Sequence, residues 1–250
     1  MFAWFMKRRR RKLLAAPLPE NLRILLRQNV WQYQSLPPDL KVKLENCVKV
    51  FVAEKYWEGC DGLQMNERMK MTIAGQASLL LLGTDGYYFD GVKTVLVYPR
   101  SFRRKSKQGW IVDEDQHNAG EAWQGGPIVL SWADVSKGNH AADGQNVVVH
   151  EFAHHLDGLD GEMGGSPPFD NADDQRRWYQ VLQREYQAHR LAAQAGQWTL
   201  LDYYGATNQA EFFAVASEFF FELPVELQQA HPELYELLTR LYKVDPRQWL

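Results

Sequence analysis

Residues 143–158 read DGQNVVVHEFAHHLDG, and they guide the interpretation of the whole chain. Asp143 is a typical helix N-cap and Gly158 a typical helix stop, so these residues predict a single helix. His150 and His154 are four residues apart and therefore lie on one face of that helix. The valine run before His150 predicts that the helix is buried.

The two histidines are spaced to hold one metal ion. Zinc suits them because imidazole nitrogen is a good zinc ligand and the d¹⁰ ion imposes no rigid geometry. Glu151 follows the first histidine and projects towards the position that the ion keeps open, where a general base can take a proton from water. A buried helix would not place two histidines and a glutamate together without a partner that satisfies them. The segment 150–154, HEFAH, therefore predicts a catalytic zinc site rather than a pair of surface histidines.

Asp160 is one of two candidates for the third zinc ligand. It lies six residues past His154, where the metzincin class of zinc peptidases places a ligand. That class has a glycine where this chain has Asp157, and it needs a methionine turn beneath the metal. The last methionine is Met163, directly after the motif, so no such turn can form downstream. Both departures argue against Asp160.

Glu211 is the other candidate, because in the gluzincin arrangement a later helix supplies a glutamate ligand. Glu211 and Glu218 are seven residues, or two helical turns, apart and share a face. Glu211 also has a competing structural role, since Asn208 and Glu211 fit a capping box in which the glutamate bonds back to the Asn208 amide. Spacing alone favours Glu211 and leaves Asp160 open.

Three other polar residues bear on the site. Asp157 lies on the ligand face, three residues past His154, and we expect it to orient a ligand imidazole rather than bind zinc. His155 points off that face and is expected to be structural. His117 could reach the metal as an additional, inhibitory ligand, which would close the position that catalysis requires to be open.

The composition is that of an ordinary globular protein. Of 250 residues, 45% are hydrophobic and 24% are charged, and the net charge of −3 gives no field that would favour direct nucleic-acid binding. No stretch approaches the roughly 20 apolar residues of a membrane span. The two cysteines, Cys47 and Cys60, form no disulfide framework and fit a reducing compartment. We therefore expect a cytoplasmic protein.

The chain is predicted to have a short tail and one domain. Residues 1–20 are expected to be a basic, flexible tail, because the cluster at 7–12 is followed by apolar residues that Pro17 interrupts. A secretory signal needs an uninterrupted apolar stretch of roughly 7–15 residues. Residues 21–250 are expected to form a single domain with a helical N-terminal third.

The hydrophobic periodicity predicts an α+β fold, mostly helical, with a small mixed β-sheet. Proline at the start of the second strand favours an edge position, because proline donates no ladder hydrogen bond. Helices are predicted within 21–59, with Pro37 and Pro38 starting the second one, and at 69–82, 143–158, 176–195 and 210–223, with further helix starts at Pro224 and Pro232; strands are predicted at 92–98 and 128–132.

Three segments together resemble a known family. They are GEAW followed by GGPIVLSW within 120–132, HEFAHHLD at 150–157, and YYGATNQAEFFAVASEFFFELP at 203–224. In this order they resemble the Mlc titration factor A family of bacterial metallopeptidases. The resemblance runs from about residue 92 to residue 246 and is weaker in the N-terminal third. It implies a zincin-like core.

The resemblance also implies a set of site residues. It places one zinc ion per chain on His150, His154 and Glu211, in a gluzincin-like site with Glu151 as general base. A pattern shared with anthrax lethal factor puts a tyrosine seven residues before the ligand glutamate, which here is Tyr204. Its hydroxyl could donate a hydrogen bond to the developing oxyanion. Tyr203 is the alternative, and one member of this pair is expected to be a core residue.

The function implied by the resemblance is peptide hydrolysis, with a lean towards short peptides and aminopeptidase activity. Family members resemble titration factors that bind the glucose-responsive repressor Mlc and relieve repression of the glucose phosphotransferase system, which implies a protein partner. The alternative is a protein-binding anti-repressor whose zinc is mainly structural. The variant Glu151→Gln separates these two functions.

Overall fold

The computed structural model describes residues 2–100, 105–106, 109–110, 126–138 and 142–250. Most of these residues are helical, and three short strands form a parallel sheet. The predicted α+β class is confirmed. Within the described residues, the three strands of the main sheet pair only in parallel, rather than in the mixed sheet expected, and antiparallel pairing occurs in a separate two-stranded ribbon.

The first 79 residues contain five helices. They are α1 (Phe2–Leu14), α2 (Glu20–Asn29), α3 (Trp31–Ser35), α4 (Pro38–Glu54) and α5 (Glu67–Leu79). As predicted, α4 begins at Pro38, where the missing N–H of proline costs nothing. The sequence did not predict helix α1. Its Arg10 side chain is paired with Glu54 and Asp90, while the mobility expected of this segment stays a prediction.

The main sheet has the order β1-β2-β5. Its strands are β1 (Tyr56–Gly59), β2 (Thr94–Tyr98) and β5 (Ile128–Ser131), whereas β3 (Lys105–Ser106) and β4 (Gly109–Trp110) form the ribbon. Among the described strands β5 lies at one end of the sheet, the position expected from the preceding proline. The hydrophobic periodicity of residues 21–59 placed β1 in a helical region. This was wrong because β1 is short and its exposed Tyr56 hides the alternation that marks a strand.

The C-terminal half consists mainly of helices. They are α6 (Trp132–Lys137), α7 (Val147–Asp157), α8 (Ala172–Gln194), α9 (Gln209–Glu222), α10 (Pro224–Ala230) and α11 (Pro232–Tyr242), with short 3₁₀ turns at Gly158–Asp160, Tyr203–Ala206 and Pro246–Gln248. α10 and α11 begin at the prolines that predicted them. Among the helices in the described ranges, none combines the length and the apolar character that crossing a bilayer requires.

The N-cap of α7 is Asn146, so the prediction of Asp143 was wrong. The Asn146 side-chain oxygen accepts the N–H of Val149 at 3.1 Å. Asp143 instead accepts the N–H of Gln145 at 3.0 Å, which makes a turn before the helix. The predicted stop at Gly158 is confirmed as the C-cap.

Helix α7 lies in the interior and packs against α9, α5 and strand β5. Its Phe152 ring packs on Phe89 and Phe51, with centroids 4.6 and 5.5 Å away. The opposite side of α9 continues the core, where the ring centroids of Phe213 and Trp178 are 5.6 Å apart. This burial fixes α7 and α9 side by side, which positions the polar residues that they share.

Candidate metal centre

α7 and α9 bring His150, His154 and Glu211 to one point. Glu211 Oε2 lies 3.0 Å from His150 Nε2 and 3.2 Å from His154 Nε2, and the two Nε2 atoms are 3.2 Å apart. All three side chains are buried. Two residues a turn apart on α7 thus face one residue at the start of α9.

These donors fit a divalent ion such as zinc. The group has one donor atom from each residue, all within 4.8 Å of one another. In a tetrahedral zinc site with bonds of 2.0–2.1 Å, neighbouring ligand atoms are roughly 3.3 Å apart. The observed separations of 3.0–3.2 Å are close to that spacing. Two imidazoles and a carboxylate are also a ligand set of known zinc peptidases.

The cap of α9 leaves the Glu211 carboxylate available. The side-chain oxygen of Asn208 accepts the backbone N–H of Glu211 at 3.0 Å and so caps the helix. The carboxylate does not take the reciprocal role of a capping box, because it points at the two histidines instead. Of the capping box that the sequence predicted as an alternative role for Glu211, the structure therefore has the bond from the Glu211 N–H to Asn208 and not the bond to the Glu211 carboxylate.

Glu218 holds the other side of the His150 ring. Its Oε1 lies 2.8 Å from His150 Nδ1, while its Oε2 accepts the backbone N–H of Asn146. A carboxylate on the outer nitrogen fixes the orientation of the ring and leaves Nε2 directed at Glu211. The helical spacing predicted that Glu218 shares a face with Glu211 but indicated no role for it.

Glu222 extends this carboxylate row by one more turn. It accepts hydrogen bonds from Asn146 Nδ2 at 3.0 Å, Gln32 Nε2 at 2.7 Å and Trp31 Nε1 at 3.0 Å. Asn146 therefore caps α7 and ties it to α9, and Glu222 ties both helices to α3. The signal that could have revealed this row is three carboxylates on one face of an otherwise apolar helix.

The charges at this point favour a positively charged occupant. Burial by itself lowers the pKa of His150, but its hydrogen bonds to Glu211 and Glu218 outweigh burial and raise the pKa well above the usual value. Burial raises the pKa of Glu211, but the two histidines outweigh it and hold this pKa below its usual value. Burial raises the pKa of Glu222 to about 8 against its three hydrogen-bond donors.

Tyr204 lies beside the three-residue group. Its ring centroid is 5.9 Å from that of His150, and its side chain packs partly buried against the core. Tyr203 points the other way, is half-exposed and donates its hydroxyl to the Gln197 carbonyl at 2.8 Å. Of the tyrosine pair, Tyr204 is the member next to the candidate metal ligands.

Glu151 lies within α7, directly after His150, and is half-buried. Its negative charge is close enough to contribute to the raised pKa of His150, after burial and the bonds to Glu211 and Glu218. His117 and the segment 120–123 lie outside the described residues.

The two aspartates that the sequence offered, Asp160 and Asp157, each accept a hydrogen bond from the loop after α7. Asp160 is exposed and accepts the backbone N–H of Glu162 at 3.0 Å. Asp157 is buried, accepts the backbone N–H of Gly165 at 2.8 Å, and has its pKa raised by burial to about 6. The contacts of Asp157 with this loop were not predicted.

His155 has the structural surroundings that were expected of it. Its Nε2 lies 3.0 Å from the Tyr87 hydroxyl, and its ring packs edge-on to Phe89 with centroids 5.8 Å apart. Burial, followed by the nearby charge of Lys55, lowers the pKa of His155 to about 4.

A helix with two buried histidines that faces a glutamate on a second helix is an arrangement of metallopeptidases. The chain belongs to the glucose-regulated metallo-peptidase M90 family, whose model matches residues 4–243.

The relatives of this chain include an uncharacterized protein and proteins named Mlc titration factor A. The uncharacterized protein slr2042 of Synechocystis is 36% identical over 244 residues, which are 95% of this chain and 89% of the relative. Mlc titration factor A of Enterobacter is 29% identical over 224 residues, or 86% of this chain and 83% of that protein. Mlc titration factor A of Salmonella gallinarum is 30% identical over 208 residues, or 80% and 77%.

Proposed function

We propose that this chain is a zinc-dependent peptidase of the gluzincin type, with one zinc ion held by His150, His154 and Glu211. The observation that carries the proposal is the convergence of these three buried donors at one point, within 4.8 Å of one another. Membership of a metallopeptidase family supports it independently. Glu218 supports it further, because ligand histidines generally have an outer carboxylate partner.

The chain's own residues divide the chemistry. A zinc ion bound here would supply a Lewis acid that polarises the scissile carbonyl and lowers the pKa of a water molecule. Glu151 accepts the proton of the attacking water and returns it to the leaving amine. Tyr204 donates its hydroxyl hydrogen to the carbonyl oxygen as negative charge develops there.

The substrate that fits this proposal is an extended peptide. Among the described strands, β5 lies at the end of the sheet and packs against α7, so a peptide could pair with its outer side as an additional strand. The family resemblance favours short peptides and removal of amino-terminal residues. A peptide series blocked or free at its amino terminus would separate aminopeptidase from endopeptidase activity.

The variant Glu151→Gln tests the catalytic proposal. It should keep the fold and the zinc content but lower peptide hydrolysis by about 10²–10⁴-fold, because the general base is lost. Glu162→Gln is the matched control, since it removes an exposed carboxylate nearby and should leave the rate unchanged. Hydrolysis that survives Glu151→Gln would show that the base is another group.

A second candidate function is binding of the repressor Mlc, which the name of two relatives suggests. In this reading the zinc is mainly structural, the partner is a cytoplasmic protein and DNA is not contacted directly. Repressor capture by purified Glu151→Gln separates the two functions. Capture without hydrolysis would show that binding and catalysis are distinct.

A further inference from the structure

One side of helix α1 is fixed to the rest of the protein. Arg10 donates two hydrogen bonds to the Glu54 carboxylate, at 2.9 and 2.7 Å, and pairs with Asp90. Its guanidinium also lies 4.7 Å from the centroid of the Tyr88 ring. The apolar Met6, Leu13 and Leu14 are partly buried on this same side. The pairing of Arg10 therefore determines which face of α1 points outwards.

The outward face of α1 combines aromatic and basic side chains. Trp4 and Phe5 are 57% and 56% exposed, and their rings pack edge to face with centroids 5.1 Å apart. At 100° per residue, the two aromatic residues and the exposed basic residues share about 160° of the helix circumference. The exposed basic residues of this face are Lys7, Arg8, Arg11 and Lys12.

The positive charge of this face is not neutralised within the part of the chain that the structure describes. Among the residues that the structure describes, no carboxylate is paired with any of those four basic side chains, whereas Arg10 has two. The net charge of the chain is −3, so this concentration of positive charge is local. Two large exposed aromatic side chains at the same place are unfavourable in water alone.

We propose that the outward face of α1 binds the surface of a membrane that contains anionic phospholipids. The four cations lie over the phosphate headgroups, and Trp4 and Phe5 insert at the boundary with the acyl chains. Exposed aromatic rings at one end of a basic helix suit this boundary, where tryptophan is favoured. A single-stranded nucleic acid suits the face less well, because Trp4 and Phe5 pack on each other and the Arg8 guanidinium lies 5.5 Å from the Trp4 ring centroid.

Sedimentation of the full-length protein with vesicles tests this proposal. Binding is expected to vesicles of phosphatidylcholine mixed with phosphatidylglycerol and not to phosphatidylcholine alone, and it should weaken as salt rises. Each basic side chain near an anionic surface raises partitioning about fivefold, so changing the four to glutamine should lower binding at least about 100-fold. Trp4→Ser with Phe5→Ser should lower binding at least about tenfold.

Matched variants elsewhere on the surface serve as controls. Trp198→Ser removes the most exposed of the large hydrophobic side chains and should leave vesicle binding unchanged. A second control changes four exposed basic residues outside α1 to glutamine and should lower vesicle binding much less than the four changes on α1. These residues are Lys137, Arg176, Arg184 and Arg190. Equal loss in both quadruple variants would overturn the proposal, as would equal binding to both vesicle types. Capture of a single-stranded RNA oligonucleotide without vesicle binding would also overturn it.

Discussion

His150 is held from both of its ring nitrogens, by Glu211 at 3.0 Å and by Glu218 at 2.8 Å. The first contact faces the candidate metal position and the second faces the protein interior. Because the ring cannot rotate without breaking one of these contacts, the nitrogen that faces Glu211 is oriented before any ion binds. The expected consequence is a site whose affinity depends on a residue that does not touch the metal.

Glu218→Gln should therefore weaken zinc binding by about ten- to a hundredfold, since it removes the negative charge behind His150. Competition with a chromophoric chelator would measure the affinity, and circular dichroism would show that the fold is kept. Glu226→Gln, an exposed change on α10, is the control and should leave the affinity unchanged. An unaltered zinc affinity in Glu218→Gln would show that this carboxylate does not position the ligand.

Tyr204→Phe should lower kcat by about 10²–10³-fold with little change in KM, because a single donor to the oxyanion is lost. Zinc content should be unchanged. Tyr203→Phe is the matched control, since the Tyr203 hydroxyl bonds to the Gln197 carbonyl and not to the site. Similar values of kcat for the wild type and Tyr204→Phe would show that the Tyr204 hydroxyl does not contribute to catalysis.

At the residue scale, spacing related the two histidines, favoured Glu211 without excluding Asp160, and left the orientation of the side chains open. His150 and His154 could be paired from the helical period, and Glu211 from its place on a later helix. The role of Glu218 could not be predicted, because two glutamates on one face can each point towards α7, and only the packing of α7 on α9 decides which nitrogen each one meets.

The elements that carry the site are joined at the start of α7. Asn146 caps the helix through Val149, donates its side-chain N–H to Glu222 and its backbone N–H to Glu218. The sequence placed this cap at Asp143 because both residue types are good N-caps. Gly144, with φ +83°, lets the chain turn between these positions, and this moves the helix start to Asn146.

Asn146→Ala is expected to destabilise the protein by about 2–3 kcal/mol, since it removes the cap from the buried N–H of Val149 and takes one of three hydrogen-bond donors from the buried Glu222 carboxylate. Asp143→Ala removes only a turn contact at the surface and should cost less than about 0.5 kcal/mol. Urea unfolding of the two variants would measure the difference. An equal decrease in the free energy of unfolding in both variants would show that the α7 cap is shared or lies elsewhere.

For the molecule as a whole, periodicity predicted most helices and the two strands that contain β-branched runs. β1 could not be found in this way, since its four residues YWEG carry no apolar alternation and become a strand only by pairing with β2. The order β1-β2-β5 also depends on pairing that local sequence does not encode. α1 was unexpected because its contacts with Glu54 and Asp90 are distant in sequence.

Lys55 gives the folded protein a measurable dependence on alkaline pH. Its side chain is buried and donates to the Phe89 carbonyl, and burial lowers its pKa from 10.5 to about 8. Between these two values the unfolded chain binds more protons than the folded one, so the free energy of unfolding rises with pH across this window. The rise should be at most about 3 kcal/mol.

Chemical unfolding at pH values from 7 to 10.5 would measure this rise as the difference between wild type and Lys55→Met, which lacks the titrating group. We expect the wild type to gain stability relative to the variant as pH increases. A constant difference across the range would mean that the pKa of Lys55 is the same in the folded and unfolded states.

Metal analysis of purified protein tests the three-residue centre most directly. The wild type and Asp160→Ala should each carry about one zinc ion per chain, and Glu211→Ala should lose it, because the Glu211 carboxylate lies against both histidines and Asp160 is exposed. Wild-type protein without stoichiometric metal would contradict the proposed centre. Loss of zinc in Asp160→Ala but not in Glu211→Ala would show that Asp160, and not Glu211, is the third ligand.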